Sequence, residues 1–313
     1  MAADESNQFH GIIPPILTPL QADGMVDLRS LFRLTRWLLH EGVHGIWACG
    51  TTGEFACIDA DEREHTIGTC VEAADGRVPV IANISDCSTR LVIEHGKRAL
   101  RAGADAVAVT PPYYYINSQD ELLDLYRAVR DAIDAPLFVY NIPATVKVKV
   151  EIPTIATLAE EGTIAGIKDS QNDLDFARGL IQAVEERGAS LRVFLGTRSL
   201  IDAGLLIGAH GAIPGIANVV PRACVQVYEA ALKGDWDAAA AAQRLVNAAM
   251  QLTRVVKSSA HSAGMGGMKA ALKAMGVIAT AYVAHPLRTP SDDEQDRIAQ
   301  LVRELGLRAP VPA

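Results

Sequence analysis

The chain has no long uninterrupted apolar run. Its most apolar stretch, "LIDAGLLIGAHGAIPGIANVV" at residues 200–220, is broken by Asp202 and His210 and punctuated by glycine and proline. No membrane-spanning helix is expected there. Runs of lysine or arginine are also missing, and the formal net charge is −8. Nucleic acid is therefore not an expected partner. No C-x-x-C pair occurs. The five cysteines, Cys49, Cys57, Cys70, Cys87 and Cys224, are odd in number and scattered. This suits a reducing cytoplasm and excludes a disulfide framework. The first residues, "MAADESNQFHG", lack the basic and apolar regions of a secretory signal, so a cytoplasmic location is the expectation.

What remains is 313 residues, 49% hydrophobic and 21% charged, the composition of a globular enzyme with a large core. Short apolar runs recur: "GIIPPIL" (11–17), "GIWAC" (45–49), "VPVIAN" (78–83), "ADAVAV" (104–109), "PLFVY" (136–140), "IAGIK" (164–168), "RVFLG" (192–196) and "GAIPG" (211–215). Stretches of helical period lie between most of them. "LRSLFRLTRWLL" puts Leu28, Leu31, Phe32, Leu34, Leu38 and Leu39 largely on one face, and "QDELLDLYRAVRDAI" behaves alike. Eight buried strands alternating with helices predict a closed (β/α)8 TIM barrel. An open dinucleotide-binding sheet would need a glycine-rich turn after the first strand, where "GIIPPILTPL" has prolines. From about residue 221 only helical patterns follow, and Ser291 before Asp292, Asp293 and Glu294 is the expected N-cap of the last. The expected division is a barrel over 1–234 and a C-terminal helical domain over 235–313.

His40-Glu41-Gly42-Val43-His44 matches the H-E-x-x-H pattern of zinc proteases. That chemistry needs both histidines on one face of a continuous helix. Gly42 follows a long amphipathic stretch and precedes a strand, the position of a left-handed helix stop. No zinc site is expected.

Lys168 ends the sixth apolar run, and barrel strands open onto the active site at their C-terminal ends. Desolvation there lowers a lysine pKa, and the free amine can attack a carbonyl to form a Schiff base. The competing possibility is a strand-end lysine that reaches water or pairs with Asp169. The remaining lysines sit in loops or on helices, with Lys269 and Lys273 assigned to one solvated face. At the second strand end, "GTTGEF" offers Thr51 and Thr52 between two glycines, suited to a small anion such as a carboxylate. "TPPYYY" and "YNIP" place tyrosines at the fourth and fifth strand ends, each compatible with packing or with proton relay.

"GTTGE", "TPPYY", "YNIP" and "GIKDS", in this order and spacing, resemble the dihydrodipicolinate synthase/N-acetylneuraminate lyase superfamily of class I aldolases over nearly the whole chain. The resemblance implies a TIM barrel with C-terminal helices, a homotetramer built as a dimer of dimers, and no metal or organic cofactor. It makes Lys168 the Schiff-base lysine and Tyr140 the proton relay. Thr51 and Thr52 would hold the 2-oxo acid carboxylate, with Thr51 also in the relay. Tyr114 matches the tyrosine that a neighbouring subunit donates, and Gly196 and Ile213 match pocket-lining positions. Thr145 stands where synthases carry an arginine for the carboxylate of their aldehyde substrate. Phe55 and Ala60 replace residues of their feedback site. These departures point away from lysine biosynthesis. The expected activity is a Schiff-base lyase, aldolase or dehydratase, acting on a hydroxylated 2-oxo acid and releasing or using pyruvate. The alternative is 4-hydroxy-tetrahydrodipicolinate synthase, condensing pyruvate with aspartate semialdehyde.

Overall fold

Each of the eight apolar runs carries a strand in the structure, a computed structural model that describes residues 8–308. They are β1 (Gly11–Ile12), β2 (Ile46–Ala48), β3 (Val80–Asn83), β4 (Ala106–Val109), β5 (Leu137–Asn141), β6 (Gly166–Asp169), β7 (Arg192–Leu195) and β8 (Gly211–Ala212). All pair in parallel, in the order β1-β8-β7-β6-β5-β4-β3-β2. The ring closes between β2 and the chain just past β1. There Ile16 N donates to Trp47 O and Trp47 N to Pro14 O, both at 3.0 Å, and Pro15 bridges Trp47 in parallel. The molecule is a (β/α)8 barrel with additional C-terminal helices.

Strand alternation sorts the core into two layers. Phe138 and Tyr140 of β5 point inward, and join Phe9, Ile13, Trp47, Ile81, Ala106, Ala108, Phe194 and Ile213 inside the barrel. Val139 between them points outward into the large cluster under the helices. The interior is therefore a filled core and not a pore, and its upper end is where side chains can meet a ligand.

The outer layer comprises α1 (Leu28–His40), α2 (Ala60–Ala74), α3 (Thr89–Arg101), α4 (Gln119–Ala132), the short α5 (Pro143–Val146), α6 (Ile152–Glu160), α7 (Leu174–Glu186), α8 (Ile201–Leu206) and α9 (Pro221–Leu232). Side chains of Asp27, Asp59, Ser88, Ser118 and Asp173 cap α1, α2, α3, α4 and α7, each accepting from an orphan N–H of the first turn. The apolar face of α1 differs from the expected one at its ends: Leu28 is 37% exposed, while Trp37 is buried. Leu28 is the first helical residue and lies beyond the contact with the sheet. The helix stops where expected, at His40, and Gly42 has φ +88°. His40 is left exposed. His44 turns to the opposite end of the barrel from the C-terminal strand ends, where its Nδ1 accepts from Ile12 N at 3.1 Å and its ring packs against His10 and Tyr228. The two histidines of the H-E-x-x-H string thus share no helix face.

Past Gly234 follow α10 (Trp236–Ala249), a 3₁₀ turn over Met250–Arg254, α11 (Ala260–Ala274) and α12 (Asp292–Glu304). Ser291 caps α12 in a capping box with Glu294. α11 begins before Gly266 and Gly267, which do not interrupt it. Gly267 lets the helix approach the 3₁₀ turn closely, since a Cβ there would meet Leu252 O at 2.6 Å. No helix among the described residues is long and apolar enough to cross a membrane.

Candidate active site

The side chain of Lys168 rises from β6 into the top of the barrel and is buried. Gly166, two residues below it on the same face, makes room for the Phe138 ring, since a Cβ there would lie 2.3 Å from a ring carbon. β5 and β6 pair with Tyr140 beside Lys168. The Lys168 Nζ consequently lies 4.0 Å from the centre of the Tyr140 ring and 4.9 Å from that of Trp47. Burial without a counter-charge pushes its pKa down to about 7. Asp169 is not its partner. Alternation turns that carboxylate the other way, where it accepts from Asn141 Nδ2 at 2.9 Å and Gln171 Nε2 at 2.8 Å. The structure thus removes the ion-pair alternative for Lys168.

Tyr140 donates its phenol proton to Thr51 Oγ1 at 3.2 Å. Burial pushes its pKa up to about 12, against the opposing effect of its hydrogen bonds with Thr51 and Ser170. The phenol is therefore neutral near pH 7. Thr51 is placed by an unusual turn. Cys49 takes φ +54° and Glu54 φ +57°, so the backbone reverses twice around "GTTG". Gly53 fits under the turn because a Cβ would stand 2.9 Å from Ile16 O, and Thr18 Oγ1 donates to Gly53 O at 2.7 Å.

Lys168, Tyr140, Thr51, Thr52, Thr145, Gly196 and Ile213 all line one cavity of about 480 Å³ at the C-terminal ends of the strands. Gly196 is required by close approach: a Cβ there would overlap the Ser170 hydroxyl. A second cavity of about 340 Å³ adjoins the first and shares Thr51, Thr145, His261 and Met265 with it; Phe55, Tyr113 and Leu287 also line it. Tyr114 is not brought to either. It is 76% exposed, beside exposed Tyr115 and Ile116.

Four contributors escape a reading of motifs. Ser170 follows Lys168 by two, so alternation returns it to the same face, a signal that was available. Arg198 follows Gly196 by two on the loop after β7. His261 and Met265 come from α11, whose distance along the chain from the barrel hides them.

The assignment of Lys269 to a solvated face is wrong. The residue is fully buried on α11, paired with the carboxylate of Glu54, and donates to Tyr282 O at 2.7 Å. Glu54 also accepts from Ala284 N at 2.6 Å. Burial pulls the Lys269 pKa down while Glu54 pulls it up. Helical period placed it with Lys273 because the pattern registers which face of a helix a residue shares, not what covers that face. Here Tyr282 and the "GTTGE" turn cover Lys269, while Lys273 stays exposed and reaches Gln295 of α12. Lys168 is therefore one of two desolvated lysines among the described residues, distinguished by having no carboxylate beside it.

Comparison with known proteins agrees with this architecture. The family model described as the dihydrodipicolinate synthetase family matches residues 8–305. An uncharacterized DapA-like lyase of Halobacterium salinarum is 34% identical over 303 residues, spanning 96% of this chain and 95% of that protein. A 4-hydroxy-tetrahydrodipicolinate synthase of Thioalkalivibrio sulfidiphilus is 37% identical over 270 residues, 86% of this chain and 89% of that one. Among solved structures, YagE, a prophage protein of the dihydrodipicolinic acid synthase family from E. coli K12 in complex with pyruvate, superposes with a TM-score of 0.89 at 28% identity, covering 96% of this chain and 99% of that one. The chain belongs to the dihydrodipicolinate synthetase family.

Proposed function

We propose that this cavity is the active site of a Schiff-base lyase that acts on a hydroxylated 2-oxo acid and releases pyruvate. The observation that carries the proposal is the buried Lys168 amine, without a carboxylate partner, facing the Tyr140–Thr51 hydrogen bond. A pKa near 7 leaves much of the amine free at neutral pH, able to attack the C2 carbonyl of the substrate. The neutral Tyr140 phenol gives its proton to the carbinolamine hydroxyl, which leaves as water and generates the iminium. The resulting phenolate takes the proton of the 4-hydroxyl as the C3–C4 bond breaks. The bond's electron pair flows into the iminium, giving an aldehyde and the pyruvate enamine. Tyr140 then protonates C3 of the enamine, and water hydrolyses the imine to release pyruvate and the amine. Thr51 orients the phenol throughout. Thr51 and Thr52, on a turn that exposes backbone N–H groups, suit the substrate's C1 carboxylate.

Thr145 supports a hydroxylated substrate chain along its own wall of the cavity. Its one hydroxyl donor suits a hydroxyl on the substrate chain, not the bidentate grip that an arginine gives a carboxylate. A dehydratase would use the same imine, which acidifies C3: the C3 proton is taken first and the C4 hydroxide then leaves with a proton as water. Some relatives are named as synthases, which makes the direct comparison decisive. The expected result is a kcat/KM for pyruvate release from hydroxylated 2-oxo acids at least tenfold above that for condensing pyruvate with aspartate semialdehyde. Efficient synthase turnover would replace this assignment with the biosynthetic one.

A further inference from the structure

Among the described residues, Lys168 and Arg198 are the Lys, Arg, Asp or Glu side chains that line the catalytic cavity, and no aspartate or glutamate does. Arg198 stands at the mouth, on the loop that follows β7. Its backbone is held from behind: Gln243 of α10 donates through Nε2 to Arg198 O at 3.0 Å and accepts from Ile201 N at 3.0 Å. The guanidinium has no carboxylate partner among the described residues. Its surroundings make its charge harder to hold, through partial burial first and the nearby cation of Arg254 second. The other acid near the site, Glu54, is already committed to Lys269. Arg198 is exposed to solvent, and a cation at the mouth of a cavity that no acid among the described residues lines draws anionic ligands toward it.

The position along the cavity decides which part of a ligand meets it. Lys168 and the Thr51–Thr52 turn take the 2-oxo acid end at the bottom. Thr145, on α5, lies along the wall. Arg198 is exposed and lines the same cavity from the loop after β7, whereas Lys168 is buried, so a ligand group that meets Arg198 belongs to the part of the substrate away from the imine.

We propose that Arg198 determines specificity by holding a second, distal carboxylate, so that the substrates of this enzyme are hydroxylated 2-oxo dicarboxylates. The inference rests on imine formation at Lys168. It assigns the far-end charge to a different wall of the cavity from the one that position 145 occupies. Arg198 does not touch the reacting atoms. It sets which acid is retained long enough to react.

Imine capture tests the idea without requiring turnover. The probes are 2-oxoglutarate and 2-oxopentanoate, which differ in carrying a carboxylate or a methyl group at C5. Each is titrated against the full-length protein with borohydride, and the adduct is read by intact mass. Wild type should reach half-capture with 2-oxoglutarate at a concentration about 10–10²-fold lower, the range for a charge-assisted hydrogen bond. Arg198→Gln should erase that difference, and Arg198→Lys should restore part of it. Pyruvate capture should stay the same in all three proteins, which also shows that they are folded. Equal capture of the two probes by wild type overturns the proposal, as does an unchanged preference in Arg198→Gln. Failure of wild type to capture pyruvate at all would instead refute the Schiff-base assignment beneath it.

Discussion

A lysine ending a barrel strand can reach solvent, pair with a neighbouring acid, or be kept dry and alone. Strand alternation decides between these for Lys168. It turns Asp169 outward to Asn141 and Gln171, and leaves the amine against two aromatic rings. The consequence is measurable in pH. Only the unprotonated amine attacks a carbonyl, and the protonated fraction falls away above the pKa. With that pKa lowered to about 7, imine formation should fall tenfold for each pH unit below 7 and level off above it. Stopped-flow measurement of imine formation with pyruvate, from pH 5 to 10, checks this. A rate that kept climbing to pH 10 would mean an ordinary, solvated lysine. The placement of Lys168 at a strand end was legible in the sequence, because an apolar run ending in lysine announces one. The fate of Asp169 was not, since spacing alone does not give strand register.

At the scale of elements, the "GTTGE" turn and α11 act as one unit. Glu54 adopts a left-handed conformation uncommon for a residue with a side chain, and its carboxylate is buried against Lys269 and Ala284 N. The pair fixes the turn that presents Thr51 and Thr52, and it ties the C-terminal helices to the barrel mouth. Removing one partner leaves the other charged group buried and unmatched, which costs about 3–5 kcal/mol. Lys269→Met should accordingly lower Tm by on the order of 10 °C, and Glu54→Gln with Lys269→Met should recover part of the loss. Differential scanning calorimetry of the three proteins reads the outcome. A single variant as stable as wild type would show the pair to be dispensable. The barrel elements were readable because each strand–helix unit carries its own periodicity. The Glu54–Lys269 contact joins residues over two hundred positions apart, and no local pattern encodes it. One hint was present: Lys269 interrupts a helix of small and apolar residues, "AHSAGMGGMKAALKA".

On the scale of the whole molecule, Tyr114, Tyr115 and Ile116 form an exposed group beside the cavity that includes Tyr113. One chain does not bring Tyr114 to the cavity, and the resemblance of "TPPYY" makes it the tyrosine that a neighbouring subunit donates. We propose that a second copy supplies it, within the tetramer that the family resemblance implies. Activity per subunit should then fall on dilution in parallel with dissociation seen by sedimentation, and Tyr114→Phe should slow turnover while leaving pyruvate capture in place. A fully active monomer would rule the contribution out. Assembly was beyond what sequence spacing conveys, because it depends on which exposed surfaces find a complement.

The central claim is that catalysis proceeds through an imine on Lys168, and borohydride reduction in the presence of pyruvate tests it most directly. The account predicts one reduced pyruvyl adduct per chain by intact mass, mapped to Lys168 by peptide sequencing, and none in Lys168→Ala. An adduct that persists in that variant, or maps to Lys269 or another lysine, would contradict it.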